Sequence, residues 1–359
     1  MHRILVINPG STSTKIAVYA DSRVEIEQKL HHSHEELAPY ERIIDQFEFR
    51  KNLVVQCLQE QKIPLSSLDA VVGRGGLVYP LEGGCYRVNS LMRQDLRNAI
   101  MGEHASNLGA LIANAIGDEI GQPSFIVDPV VVDELEPLAR YSGSPEVSRL
   151  SIFHALNQKE AARRMAESLN KSYHECNMIV AHLGGGISIG AHRRGKVIDV
   201  NNALDGDGPF SPERTGGLPS GQLARLCFLG QWSLDDIKKL IKGHGGMVAY
   251  LGTNDGGEIM KRIEAGDDKA REVFEAMAYQ VAKEIGAMTT VLKGKVDAIV
   301  LTGGLAHIDR FVNWIIERVQ FIAPVSVMPG EDEMRAMYES ALRVITGKET
   351  AKEYLGKRE

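Results

Sequence analysis

The feature that most restricts what this chain can fold into is a block that occurs twice. Residues 4–26 run as an apolar stretch ILVIN, a polar turn PGSTST, a second stretch KIAVY, a turn ADSR and a third stretch VEI. Residues 178–200 repeat that order as MIVAHL, GGG, ISIGAH, RRGK and VIDV, with Gly10 falling on Gly185 at an offset of 175. Apolar alternation broken by glycine-rich or polar turns predicts a three-stranded antiparallel meander in each block. Segments with helical spacing follow: PYERIIDQFEFRKNLVVQCLQEQ after the first block, SGQLARLCFLG and SLDDIKKLIKG after the second. Such a repeat predicts a duplicated α/β fold of two lobes with a cleft, divided into residues 1–175 and 176–359. The length of 359 residues agrees, being too much for one ordinary core.

Charge and composition narrow the partners. A formal net charge of −6 gives no reason to expect nucleic acid or an anionic membrane surface. No apolar run approaches the ~20 residues of a membrane span, and the four apolar residues in MHRILVIN fall short of a signal-peptide core. Cys57, Cys85, Cys176 and Cys227 are scattered, without zinc or redox spacing, as expected of reduced thiols in the cytoplasm.

The loops speak to ligands. GSTSTK is not a P-loop, because Thr14 stands where the second glycine is needed, Ile16 follows the lysine, and KIAVY alternates as a strand. On a hairpin, however, Gly10 permits a tight turn while Ser11, Thr12 and Ser13 offer hydroxyl and N–H donors to phosphate oxygens. Lys15 adds a point charge, and Asn8 is placed to meet a metal-bound water. HLGGGISIG also lets backbone approach a ligand, yet it lacks the later glycine and the helix of a dinucleotide fingerprint. Gly303-Gly304 ends an apolar strand and opens a helix, a place for a base or sugar.

Candidates for chemistry are Arg74 in VVGRGG, His104 in GEHASNLGA, Asp128 in FIVDPVVVDEL, His154 in IFHALNQ and Arg214 in the small, polar loop DGDGPFSPERTGGLP. That loop reads as a mobile or binding segment. Each candidate also has a plain alternative: an arginine on a surface turn, a histidine capping a helix, an aspartate at an N-cap. The helical stretch SNLGALIANAIG serves equally as a core helix or an interface helix.

Taken together, Asn8, Gly10, Ser11, Ser13 and Lys15, with VVGRGG, EHASNLGA, DPVVVDEL, IFHALNQ, VAHLGGGISIGAH, TGGLAH and PGEDEMRAM, resemble the acetate and butyrate kinases. These are carboxylate kinases of the actin/Hsp70/sugar-kinase superfamily. NNALDGDGPFSPERTGGLP is similar to the butyrate kinase branch. The resemblance implies duplicated ribonuclease H-like (actin-like ATPase) domains with the nucleotide between the lobes, and a homo-oligomer. It implies ATP/ADP and Mg²⁺ as cofactors, and reversible conversion of a short-chain carboxylate to its acyl phosphate, with butyrate or isobutyrate preferred.

By the same resemblance, Arg74 and Arg214 would hold the carboxylate and the transferring phosphoryl group, and His154 would stabilise its equatorial oxygens. Asp128 would organise the metal with Asn8 and a late glutamate, Glu331 or Glu333. His182, Gly184 and Gly186 would form the second phosphate loop, with Gly303, Gly304 and Asp255 beside the nucleoside. His104, Phe153, Gly75 and Gly76 would line the acyl pocket, the two glycines leaving room for added methylenes. Two departures stand out. Gly185 stands where acetate kinases carry an asparagine, which removes one polar group toward phosphate unless Ser188 supplies it, and Gly256-Gly257 replace an aromatic and an arginine. An acetate, propionate or branched-chain acyl kinase, and a non-enzymatic actin-like ATP-binding protein, are the competing readings.

Overall fold

The computed structural model describes residues 2–357. Two compact units result: one runs to Val132 and resumes at Asp332, and the other is Asp133–Glu331.

In the first unit, β1 (Arg3–Pro9), β2 (Ser13–Ala20) and β3 (Arg23–His31) form the expected antiparallel meander. β4 (Ala70–Arg74) then pairs parallel with β1. β5 (Cys85–Arg87) lies antiparallel to β6 (Ser124–Val127), which is parallel to β4. With the short strand Lys352–Glu353 the seven-stranded sheet has the order Lys352–Glu353, β5, β6, β4, β1, β2, β3. Ile4, Leu5, Val6 and Ile7 are all fully buried, so both faces of β1 are covered, as a parallel-paired strand requires. The helices Asn107–Ile120 and Glu333–Ile345 pack on β1, β4 and β6. The stretch SNLGALIANAIG is therefore a core helix, burying Leu108, Leu111, Ile112 and Ile116.

One crossing fixes that helix on its sheet. A Cβ on Gly73 would collide with the backbone carbonyl of Gly109, and one on Gly109 would collide with the Arg74 carbonyl. Backbone meets backbone there, at the end of β4, where only glycine leaves the space.

The second unit repeats the plan. β7 (Asn177–Leu183), β8 (Ile187–Arg193) and β9 (Lys196–Val200) form the second meander. β10 (Ala298–Gly303) pairs parallel with β7, and β11 (Val325–Pro329) parallel with β10. The order β9-β8-β7-β10-β11 matches β3-β2-β1-β4-β6 of the first sheet, which establishes the duplication. β7 divides its side chains with period two. Ile179, Ala181 and Leu183 face a core with Phe274, Met277 and Val281 of the helix Asp268–Val291, whereas Met178 and Val180 face Ala162, Met165 and Ala166 of the helix Ala155–Ser168.

The compact units thus divide elsewhere than at residue 175. Glu134 explains why the segment from Asp133 joins the second sheet: its carboxylate sits 2.9 Å from the Lys159 ammonium, both buried, and accepts the Val197 N–H at 2.7 Å. The Glu136 N–H donates to the Ile198 carbonyl at 2.9 Å. Among the described residues no helix is long and apolar enough to cross a membrane, and the four cysteines are free.

Two consequences are measurable. Gly109→Ala should cost about 3 kcal/mol or more, since neither backbone can yield without lifting the helix off the sheet. Calorimetry should then show the melting temperature falling by roughly 6–12 °C, and a shift of only a degree or two would argue against this contact. The second concerns two buried histidines. Burial, with the nearby Arg50 charge, pushes His32 down from 6.5 to about 4, and burial with the Lys159 and Arg163 charges pushes His192 well below 6.5. Folded-state values below the unfolded one mean that the stability they contribute is present above pH 6.5 and is lost as pH falls toward the folded value. Urea midpoints should therefore drop between about pH 7 and about pH 5.5. His32→Asn should flatten that slope, and an unchanged slope would remove His32 from the account.

Candidate active site

The first hairpin loop owes its shape to a residue that sequence reasoning missed. Arg50, fully buried on the helix Phe47–Glu60, sends Nη1 to the Gly10 carbonyl at 2.7 Å and to the Ser13 carbonyl at 3.3 Å. Its Nη2 reaches the Ser11 carbonyl at 3.0 Å, and Gln46 Oε1 accepts from Nη2 and Nε at 2.8 and 3.0 Å. The Thr12 carbonyl accepts the His32 N–H at 2.9 Å. Every carbonyl from Gly10 to Ser13 is thereby taken. Among the described residues no protein acceptor meets the N–H groups of the exposed Ser11 and Thr12. The loop is left with donors to offer, which suits an anion. Among the described residues no carboxylate balances Arg50, and burial pushes its guanidinium down to about 10. Lys15 is exposed on β2 directly opposite Asn8, so the two share a face.

The parallel strands carry the rest of the first unit's group. Asn8, Arg74 and Asp128 stand where β1, β4 and β6 end, since Ile7 pairs with Gly73 and Arg74 with Val127. Glu333, at the start of the last long helix, accepts from Asn8 Nδ2 at 2.9 Å and forms an ion pair with Arg74. Asp128 is buried and adopts φ 35°, in the left-handed region that disfavours side chains. It is held there by a reciprocal pair with Gly84: its Oδ1 accepts the Gly84 N–H at 2.6 Å, and its own N–H donates to the Gly84 carbonyl at 3.1 Å.

Gly75 and Gly76 correct an expectation. A Cβ on Gly75 would meet Pro129 Cβ at 2.6 Å, and one on Gly76 would meet Asn107 Cα at 2.6 Å and Leu96 Cδ2 at 2.8 Å. Their missing side chains make room for protein, not for added methylenes of a ligand. His104 is exposed and its Nδ1 lies 2.8 Å from Ser106 Oγ, at the approach to the helix Asn107–Ile120.

In the second unit, His154 and His182 stack with ring centroids 3.7 Å apart. His182 Nδ1 lies 2.8 Å from Asn157 Oδ1, and its Nε2 lies 3.2 Å from Glu331. Of the two late glutamates, then, Glu331 keeps company with His182 and Glu333 with Asn8 and Arg74. The glycine loop between β7 and β8 accommodates these groups. A Cβ on Gly184 would meet His182 Nε2 at 2.8 Å and Glu331 Oε1 at 3.3 Å, and one on Gly186 would collide with the Arg214 guanidinium. Arg214 donates to the Ala203 carbonyl, but its buried Nε has no partner among the described residues. Burial pushes that guanidinium below the usual arginine range, with Glu213 acting the other way.

Ser188 is fully buried, and its Oγ lies 2.9 Å from His154 Nδ1. It is engaged with the protein and does not stand in for an asparagine at position 185. The loop read as a mobile or binding segment is held by bonds of its own: Gly217 N–H donates to the Gly208 carbonyl at 2.9 Å, and Ser211 N–H to the Arg214 carbonyl at 3.0 Å. Gly303, at φ 92°, lies against the Leu183 backbone, whereas Gly304 opens on space. Asp255 caps the helix Gly256–Glu264, accepting from the Gly257 and Glu258 N–H groups at 2.8 and 3.2 Å. Gly256 packs that helix start against Leu305 and Ile308, just beyond Gly304. Phe153 is buried beside His154.

The Arg50 clamp generates a direct test. Arg50→Met removes all of the side-chain bonds to the loop, each bond to a charged group being worth about 1.5–3 kcal/mol. Amide exchange at residues 10–14 should rise by roughly tenfold or more while β7 and β8 keep their protection, and Arg50→Lys should fall between. Uniform acceleration across the first unit would show a general structural loss instead.

Comparisons with known proteins agree with this geometry. Residues 146–323 match the family described as the acetokinase family. Across the whole chain, an acetate kinase from Porphyromonas gingivalis superposes with a TM-score of 0.80 at 19% identity, covering 96% of this chain and 100% of that one. A propionate kinase from Francisella tularensis subsp. tularensis SCHU S4 gives 0.76 at 20% identity, with 95% and 99% covered. An acetate kinase from Entamoeba histolytica gives 0.77 at 15% identity, with 96% and 100% covered. The segment 146–323 thus matches the acetokinase family, within a chain whose two-sheet, actin-like ATPase fold is that of the acetate and propionate kinases it superposes on.

Proposed function

We propose that this chain transfers the γ-phosphoryl group of ATP to a short-chain carboxylate, reversibly, giving an acyl phosphate and ADP. The observation that carries this reading is the Gly10–Ser13 loop, whose carbonyls are all tied up by protein donors and whose remaining groups suit phosphate oxygens. Arg214, half-buried with a buried Nε that has no partner among the described residues, is a second anion-seeking group. Together with the acetokinase-family match, these favour phosphoryl transfer over simple nucleotide storage.

The chemistry asks little of the protein beyond placement and charge. A carboxylate is already ionised at neutral pH, so no general base is required. Arg74 would orient it, and Arg214 and His154 would offset the charge of the transferring group. Lys15 and the hairpin donors would hold phosphate oxygens, Gly184 and Gly186 would let the second loop approach them, and Gly303, Gly304 and the helix capped by Asp255 would face the nucleoside. Among the described residues no three imidazole, thiol or carboxylate groups converge as a metal cage. Mg²⁺ does not need one, since it binds through one or two carboxylates plus phosphate oxygens and waters. Asp128 and Glu333, with Asn8 acting through water, fit that role. Bound there, Mg²⁺ would neutralise phosphate charge.

Butyrate or isobutyrate is the acceptor we favour, because residues 201–219 resemble the butyrate kinase branch. Gly75 and Gly76 lend this no support. Acetate or propionate is the second reading, favoured by the names of the structurally similar kinases. We place the activity in the cytoplasm, in a homo-oligomer.

Hydroxylamine trapping of acyl phosphate, with ATP and Mg²⁺, should peak at butyrate or isobutyrate in a series from acetate to valerate. Asp128→Asn should lose rate and magnesium dependence together, by roughly a hundredfold in kcat. A peak at acetate or propionate would keep the reaction and change the acid. ATP binding without any acyl phosphate would sink the enzyme reading.

A further inference from the structure

Behind His154 runs a chain of buried polar groups whose directions can be deduced one by one. It begins at a backbone carbonyl, which only accepts. Gln158 is fully buried, with one amide atom 3.0 Å from the Ser188 carbonyl and 2.8 Å from Ser188 Oγ. That atom must be the NH₂, so the other amide atom is the oxygen. Gln158 Oε1 lies 3.0 Å from His192 Nε2, which therefore carries a proton. His192 is wholly buried, and burial with the neighbouring Lys159 and Arg163 charges keeps it neutral. Its Nδ1 is then an acceptor and takes the Tyr173 O–H at 2.7 Å.

Ser188 Oγ accepts from Gln158, and its hydroxyl proton needs an acceptor. The partners within reach of Oγ are nitrogens: Gln158 Nε2, the His154 backbone N–H at 3.5 Å and His154 Nδ1 at 2.9 Å. Only the ring nitrogen can accept. If Nδ1 held a proton, the buried hydroxyl would be left without an acceptor, which proteins rarely tolerate.

We propose that Tyr173, His192, Gln158 and Ser188 are positioning residues that lock His154 in the tautomer with its proton on Nε2, so that this nitrogen is a ready-made hydrogen-bond donor. Its use toward a transferring phosphoryl group rests on the function proposed above. The tautomer itself does not. A neutral donor held in place stabilises charge that develops during transfer without reorganising at that moment.

The test is nitrogen NMR of the full-length protein with ¹⁵N-labelled histidine, the His154 signals being identified by their loss in His154→Gln. Expected are an unprotonated Nδ1 and a protonated Nε2. Ser188→Ala should let the Nδ1–H tautomer appear and lower kcat for acyl phosphate formation by about tenfold, with KM for ATP and carboxylate held within about twofold. Tyr173→Phe, which leaves Ser188 and both rings in place, should shift the tautomer balance in the same direction by less. A proton on Nδ1 in the unaltered protein would overturn the proposal, as would an unchanged tautomer in both variants. A shifted tautomer with unchanged kcat would overturn its catalytic part. If the unaltered protein shows the Nε2–H tautomer but phosphorylates no acid, the relay stands and the kinase function falls.

Discussion

The structure depends on one kind of strand pairing, the parallel contact of β1 with β4 and of β7 with β10. An antiparallel meander alone would have scattered its turns to both ends. Adding parallel strands on the inner side sends β1, β4 and β6 in one direction, so that Asn8, Arg74 and Asp128 emerge together. In the second sheet the same device places His182 near the end of β7 and Gly303 at the end of β10, next to the glycine loop. Functional groups of open α/β sheets gather at the carboxyl ends of strands for this reason.

The two meanders were legible because period-two alternation and glycine turns are local signals, and their repetition doubled the information. The plan of each sheet followed. The division of the chain did not, because it depends on where Glu134 finds Lys159 and where the last helix returns, which no local pattern records. Asn8, Arg74 and His154 were singled out as candidates from their loops, and His182 through the family resemblance. Gly75 and Gly76 were misread as a pocket wall, since a missing side chain looks the same in sequence whether a ligand or Pro129 fills the gap. Arg50 was not singled out in the sequence, yet its spacing to Val54, Cys57 and Leu58 puts it on the buried face of its helix. That spacing was the available signal. Ser188, Gln158 and His192 carried none, because their meaning lies in long-range contacts that only the fold makes; the His154–Ser188 and Gln158–His192 pairs each span 34 positions.

Three arginines illustrate how differently one charge can be housed. Arg74 is balanced by a carboxylate, Glu333. Arg214 meets a backbone carbonyl and keeps an unsatisfied Nε. Arg50 meets carbonyls and an amide oxygen, with no counter-charge among the described residues. A buried guanidinium without an anion is costly. It persists here as the brace of a loop, and its field adds to the loop's preference for negative ligands.

The helix Glu333–Ile345 has a bearing on how the protein is made. The first unit begins with the earliest strands and is finished by a helix encoded after the whole of the second unit. On the ribosome, Asp133–Glu331 is synthesised without interruption and can close as soon as it emerges, whereas the older segment must wait with the sheet face under β1, β4 and β6 uncovered. That helix also brings Glu333, the partner of Asn8 and Arg74. A nascent chain therefore holds an arginine without its counter-charge until the whole second unit has been made, and order of synthesis, not only stability, decides when the first unit's strand-end group is assembled.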